Sequence, residues 1–462
     1  MAVWSRTELS NVRRSFGRID AEFYRPKSLE AFSQVTASNH DLLGRLVIDG
    51  YRVVYENTKI VESGQITDTS ARFLQATNLG KDGLSIELDS IGYVDERDWF
   101  RYPKGRIKAG ELLIEVKGQA EKVAVVPDGF PDRTLVSGSL FKLTAKRDRI
   151  SPWYLFVFLL SRYGKLLRDR LKTNTLIGFV SKPQLYSIPI FLPESTDEQA
   201  LSLQTQESIR LNTLARKLYT EAQQLLEAEL DMGKLTLQKP VGYIARFSNV
   251  GLSDTFSAGR IDAQCFAPDA LFYESWLKAH ARCDRLDSLL RSTVKGHQQA
   301  DSANGSTDYC SIKHITGMEI VEASKCFSQP DTPRAGLDDL LLAITGATIG
   351  KIGIVKRYER LAFSGDLLCL RTGELINPHY LLLVLNHRIG QVQFNRWITG
   401  STNGHLAPKD VARVLVPRLD SDLEAKIAAL VKDSLSKRRE SEQLIEQAKT
   451  RVEQLIEGVV QS

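Results

Sequence analysis

The chain has 462 residues, 42% hydrophobic and 25% charged, which is the composition of a soluble globular protein large enough for two or three domains with their own cores. Net charge is +5 but unevenly spread: residues 1–193 hold 29 Lys and Arg against 22 Asp and Glu, a balance of +7, and the remainder sums to −2. A basic first part suits a polyanionic partner. The five cysteines (Cys265, Cys283, Cys310, Cys326 and Cys369) are odd in number and form no CxxC, against both a disulfide framework and a zinc cluster and in keeping with a reducing cytosol. Residues 1–10 have no apolar signal core, and the longest apolar run, 153–160, is far too short to span a membrane. The expected location is cytoplasmic, with no membrane association.

In chain order, residues 112–116 and 123–126 are short apolar runs joined by a polar loop, the pattern of a strand pair. Ser151-Pro152 places a capping residue before a proline at the first helical position, predicting a helix over 153–171. A polar loop, Lys172-Thr173-Asn174-Thr175, precedes an apolar strand at 188–192. Then 196–232 runs without Pro or Gly. Leu211, Leu214, Leu218, Ala222, Leu225 and Leu226 recur at three- and four-residue steps, one helical face. A helix of this length would be about 55 Å long, a spacer or half of a coiled coil.

The second half repeats the first. Gly17-Arg18-Ile19-Asp20-Ala21 returns as Gly259-Arg260-Ile261-Asp262-Ala263, and Ser137-Gly138 as Ser364-Gly365. The strand pair recurs at 340–344 and 351–355, and Asn377-Pro378 starts a helix over 379–397. The loop Thr399-Gly400-Ser401-Thr402-Asn403-Gly404 precedes a strand at 411–416. A second long helix over 419–461 carries Ile445, Ala448, Val452, Leu455 and Val459 at heptad spacing. Matches kept in order across two halves indicate an internal repeat. The expected fold is α+β: mixed α/β domains over 1–194 and 241–418, each followed by a long helix, over 195–240 and 419–462.

No reading of catalytic chemistry survives inspection. Asn377-Pro378-His379-Tyr380 resembles the Asn-Pro-Pro-Tyr adenine grip of amino-methyltransferases but has the wrong third residue, and no Gly-rich loop suits S-adenosylmethionine. The plain reading is a proline-started helix. Gly346-Ala347-Thr348-Ile349-Gly350-Lys351 is one residue short of a phosphate loop and reads as a turn between strands. Cys310 and His314 are spaced to share a helical face, but no second pair completes a metal site. Two sets of polar loops remain, carrying the side chains that touch phosphates and base edges. In the first half these are Lys117, Gln119, Lys122, Lys172, Asn174, Thr175 and Lys182. In the second they are Thr345, Thr348, Lys351, Arg396, Thr402, Asn403, His405 and Lys409.

Two mixed units that alternate with long helices resemble the specificity subunit of type I restriction-modification systems, over nearly the whole chain. The most specific phrases are Gly400-Ser401-Thr402 with Leu406 and Pro417, and Ile188-Pro189-Ile190 running through Pro193 to Glu198-Gln199. The chain departs from the family pattern at Thr173-Asn174-Thr175, where Gly-Ser-Thr is usual, and at Leu423-Glu424, where Glu-Gln is usual. The resemblance implies a non-catalytic, DNA-binding subunit of a phage-defence complex. Its two target recognition domains would each read half of a bipartite double-stranded DNA site. The long helices would pair as an antiparallel coiled coil along Leu211, Leu214, Leu218 and Leu225 and along Ile445, Ala448, Val452 and Leu455. They would dock two methyltransferase (modification) subunits, which carry S-adenosylmethionine and methylate adenine. Motor-nuclease (restriction) subunits can join them. The resemblance implies no cofactor or metal for the chain itself. The alternatives are a stand-alone DNA methyltransferase or nuclease, a structural coiled-coil adaptor with no DNA role, and a similar DNA-binding subunit serving another defence effector.

Overall fold

A computed structural model describes residues 12, 18–53, 58–88, 90–173, 178–235, 242, 244, 263–400 and 404–458. The chain divides into two compact units, Met1–Leu214 with Lys437–Ser462, and Ala215–Ser436. Both are mixed α/β, and each takes in part of both long helices, Ser195–Glu229 and Ser421–Glu457.

In the first unit a four-stranded antiparallel sheet runs Val47–Tyr51, Leu140–Ala145, Leu112–Glu115, Val123–Val125. A three-stranded sheet joins Gly92–Val94, Ala71–Leu74 and Thr134–Val136, the last pair parallel. In the second unit a five-stranded sheet runs Leu290–Lys295, Leu367–Thr372, Leu340–Ala343, Ile352–Val355, Glu319–Ile320. Beside it lies a four-stranded sheet, Ser324–Cys326, Thr307–Cys310, Leu361–Phe363, Arg334–Ala335. The expected strand pairs are therefore present in both units. Their continuous apolar character follows from burial on both faces, because successive side chains point to opposite sides. Leu112 and Ile114 enter the main core while Leu113 enters a second one. Leu340 and Leu342 divide from Leu341 and Ala343 in the same way.

Each expected helix at 153–171 and 379–397 is instead two: Pro152–Leu160 with Arg162–Leu171, and Pro378–Asn386 with Arg388–Trp397. The capping reading of their starts holds, since Ser151 Oγ accepts from Trp153 N at 3.3 Å and Asn377 Oδ1 from His379 N at 2.9 Å. Local capping makes each break. Ser161 Oγ accepts from Gly164 N at 3.2 Å, and the Nδ1 of His387 accepts from Ile389 N at 3.4 Å. The second helix of each pair then folds back so tightly that a Cβ on Gly164 would lie 2.1 Å from Phe158 O, and one on Gly390 2.5 Å from Leu385 O. A second difference concerns 411–416. Val411 closes a short helix, Pro408–Val411, because Pro408 sits at its first turn, and the strand is Leu415–Arg418.

The repeat extends to side-chain bonds. Tyr154 OH donates to Phe191 O and Tyr380 OH to Pro417 O, both at 2.8 Å. Glu111 is buried and accepts from Lys142 Nζ at 2.6 Å and from Lys108 N at 2.8 Å, while Lys142 also donates to Arg106 O at 2.7 Å. In the second unit Asp339 accepts from Arg371 Nε at 3.3 Å and from Gly336 N at 2.9 Å, and Arg371 also donates to Arg334 O at 2.5 Å.

The long helices complete both cores. Leu201, Ile209, Ile445, Ala448, Val452 and Ile456 are buried in the first unit; Ala222, Leu226, Ile427, Val431 and Leu435 in the second. In the first unit Ser208 Oγ donates to Ser441 O at 2.8 Å and Ser441 Oγ to Ser208 O at 2.6 Å; in the second, Ser434 Oγ donates to Ala215 O at 2.7 Å. Of the expected seam, Leu211, Ile445, Ala448 and Val452 are buried, and Leu214, Leu218, Leu225 and Leu455 are only half-buried. Thr205, Ser208, Asn212 and Ala215 are buried in their place. Where a hydroxyl reaches the backbone of the facing helix, a small side chain fits and a leucine is displaced to the flank.

Gly164→Ala and Gly390→Ala should each destabilise the chain by about 1–3 kcal/mol, because the added methyl meets backbone rather than a movable side chain. Denaturant unfolding of each variant checks this. An unchanged midpoint would mean that the second helix does not seat on the first.

Candidate nucleic-acid interface

The candidate edge of the first unit starts where the central strand ends. Glu115 is buried, and its carboxylate accepts from Glu121 N at 3.0 Å and Lys122 N at 3.1 Å. The turn is thus closed from below, with Gly118 at φ +107° and Ala120 at +51°. Lys117 and Gln119 are left exposed on it. Lys117–Gly118 pairs antiparallel with Gly178–Phe179, and Val180 N donates to Val116 O at 3.0 Å. The two loops singled out from the sequence are therefore joined into one edge.

The cations around this edge are held to different degrees. Arg52, which the sequence reading missed, stacks 4.7 Å over the Phe179 ring. Lys182 is exposed but donates to Gly50 O at 3.1 Å and lies 5.0 Å over the Tyr186 ring. Lys172 is half-buried between Asp169, at 2.7 Å, and Glu121, at 3.5 Å. Lys122 donates to Ala76 O at 2.8 Å. Asn174 and Thr175 lie outside the described residues.

The second unit builds the same edge from different side chains. Gly346 N donates to Gly404 O at 3.1 Å and Leu406 N to Ile344 O at 2.9 Å, and Thr345 and Thr399 both bridge to His405. Thr345 Oγ1 donates to Asp366 Oδ1 at 2.6 Å, and the Thr348 hydroxyl is buried. Lys351 and Lys409 are exposed and His405 is half-buried. Thr402 and Asn403 lie outside the described residues. The stretch Gly346–Thr348 is a single 3-10 turn between strands, as its spacing indicated.

Arg396 is a correction. It is 1% exposed, ion-paired to Glu274, and its Nε donates to Cys265 O at 2.8 Å. It points inward because its helix, Arg388–Trp397, presents that face to the core. Arg170, its counterpart 226 positions earlier, donates from Nε to Phe23 O at 2.9 Å. The signal was in the repeat: an arginine at one step of both helices marks a shared internal contact. Cys310 and His314 share no helix. Cys310 ends a strand and the Nδ1 of His314 accepts from Ser311 N at 2.9 Å. Among the described residues no group of three or more His, Cys, Asp or Glu is placed to hold a metal ion, and no helix is long and apolar enough to cross a membrane.

No protein-family model matches the chain, and no curated protein matches it. Among solved structures it is similar to the S subunit of a Type-I restriction-modification system from M. genitalium, at 13% identity and a TM-score of 0.44, over 92% of this chain and 96% of that one. It is similar to the HsdS subunit from Thermoanaerobacter tengcongensis, at 14% identity and a TM-score of 0.30, over 91% and 97%. A structure of the type I R-M system is also similar, at 13% identity and a TM-score of 0.31, over 90% and 97%.

Removing the Glu115 carboxylate with Glu115→Ala strips two backbone donors of their acceptor, at about 1–3 kcal/mol for each one left buried. Hydrogen exchange at Glu121 and Lys122 should speed up while the strand Val123–Val125 stays protected. Unchanged exchange would mean that the turn holds without its carboxylate. Arg396→Met leaves Glu274 without its cation and should cost about 3–5 kcal/mol of stability, with the salt dependence of any DNA binding unaltered. A changed salt dependence would return Arg396 to the interface.

Proposed function

We propose that this chain is the specificity subunit of a type I restriction-modification system, itself non-catalytic. Each unit reads one half of a bipartite double-stranded DNA target. The two long helices pair as an antiparallel coiled coil, set the gap between the half-sites and mount two methyltransferase subunits. The observation that carries the reading is the twofold occurrence of one edge: a turn after the central strand bonded to the loop before the last strand, at Gly118 with Gly178 and at Gly346 with Gly404. One framework with unlike contact residues is what a reader of two different half-sites needs. Exposed Lys117 and Gln119 serve one edge; Lys351, Lys409 and half-buried His405 serve the other. Lysines supply sequence-independent phosphate attraction, and the amide and imidazole groups supply base contacts. The helix pairing is supported by Ser208 with Ser441 and Ser434 with Ala215. S-adenosylmethionine belongs to the partner, and motor-nuclease subunits add restriction. The chain acts in the cytoplasm, where its DNA target lies.

The purified chain, incubated with labelled S-adenosylmethionine and DNA, should transfer no methyl group; adding the modification subunit should methylate adenine. Mapping the methylated sites should give two short, unlike sequences around a fixed gap. Label transferred by the chain alone, or a continuous palindromic target, would overturn the reading.

A further inference from the structure

The first unit carries a cleft of about 320 Å³. The ion pair of buried Glu111 with half-buried Lys142 lines it. Glu111 is fully engaged, with Lys142 Nζ, Thr144 Oγ1 and Lys108 N all donating to it. Arg106 is turned away, its guanidinium 4.3 Å over the Trp99 ring and bonded to Trp99 O at 3.0 Å. What the cleft offers a ligand is the exposed ammonium groups of Lys104 and Lys108 and a wall made by Tyr51. Asp49 is the remaining carboxylate of the lining, so the balance is cationic.

We propose that this cleft holds a backbone phosphate of duplex DNA on Lys104 and Lys108, a contact the second unit lacks. This rests on the DNA-recognition reading above. Lysine ammonium groups act as point charges that suit a phosphate, without the planar fork that reads guanine bidentately. The cleft shares one stretch of chain with the candidate edge. Asp49 and Tyr51 line the cleft, while Gly50 O receives Lys182 and Arg52 stacks on Phe179. The second unit keeps the ion pair as Asp339–Arg371 but not the cations. The positions 228 beyond Lys104 and Lys108 are Thr332 and Gly336. Tyr51 sits opposite Lys142 in register, whereas Ser292 sits opposite Arg371.

The test is a salt titration of the full-length chain on a random-sequence DNA duplex, comparing wild type, Lys104→Gln/Lys108→Gln and Lys104→Arg/Lys108→Arg. The glutamine variant should bind more weakly at low salt, with a slope of log K against log salt shallower by about 0.9, the loss of one phosphate contact. The arginine variant should keep the wild-type slope. A glutamine variant with the wild-type slope overturns this inference and leaves the DNA reading standing; a wild-type chain that binds no duplex overturns both. In a parallel arm inorganic phosphate is titrated at constant ionic strength. Phosphate that binds wild type but not the glutamine variant, with the DNA slope unchanged, assigns the cleft to a free anion and overturns the DNA assignment.

Discussion

Everything at the candidate interface depends on one backbone hydrogen bond made twice, Val180 N to Val116 O and Leu406 N to Ile344 O. It ties the loop before the last strand to the end of the central strand, which is buried on both faces. A loop alone would sample many conformations, and holding it for recognition would cost entropy on binding. Bonded to a strand buried on both faces, its described residues around Val180 and Leu406 have a fixed attachment before any ligand arrives. The bond runs between main-chain atoms, so it places no demand on the side chains that the edge displays. The contact residues can differ between the units while the edge stays the same.

The same logic recurs in the shared framework. Tyr154 and Tyr380, Arg170 and Arg396, Lys142 and Arg371 all donate to carbonyl oxygens of the backbone. A backbone acceptor survives substitution of its own residue, which is why Phe23 and Cys265 can occupy one role. Contacts of this kind hold a duplicated fold together while its sequence drifts. Side-chain pairs must change together, as Glu111 with Lys142 did relative to Asp339 with Arg371.

The alternation of mixed units with long helices, the strand pairs and the capped helix starts were legible because periodicity, Pro and Gly act locally. The breaks at Ser161 and His387 were not, because no proline marks either one; they show only in the capping bonds of those two residues and in the close approach at Gly164 and Gly390. Half of the expected helix seam is buried, at Leu211, Ile445, Ala448 and Val452, and the other half was misplaced. Leucine at Leu214 and Leu218 marks an apolar face, but full burial fell to Ser208, Ala215 and Ser441, small residues that a leucine periodicity does not pick out. At the candidate edge the two loops could be named, yet nothing in their spacing said that they pair. Arg396 was misread because a charge in sequence carries no direction, and its acid, Glu274, is 122 residues away.

The division of the long helices bears on how the protein is made. Core residues Leu201 and Ile209 of the first unit pack with Ile445, Ala448 and Val452, and Gln204 reaches Leu444 across 240 residues. During synthesis the first unit emerges with an apolar groove that stays unfilled until the whole second unit has been translated. The second unit lies within one continuous stretch, Ala215–Ser436. The part that leaves the ribosome first is thus the last to be finished, and in the interval its groove is exposed apolar surface of the kind that makes folding intermediates prone to aggregate.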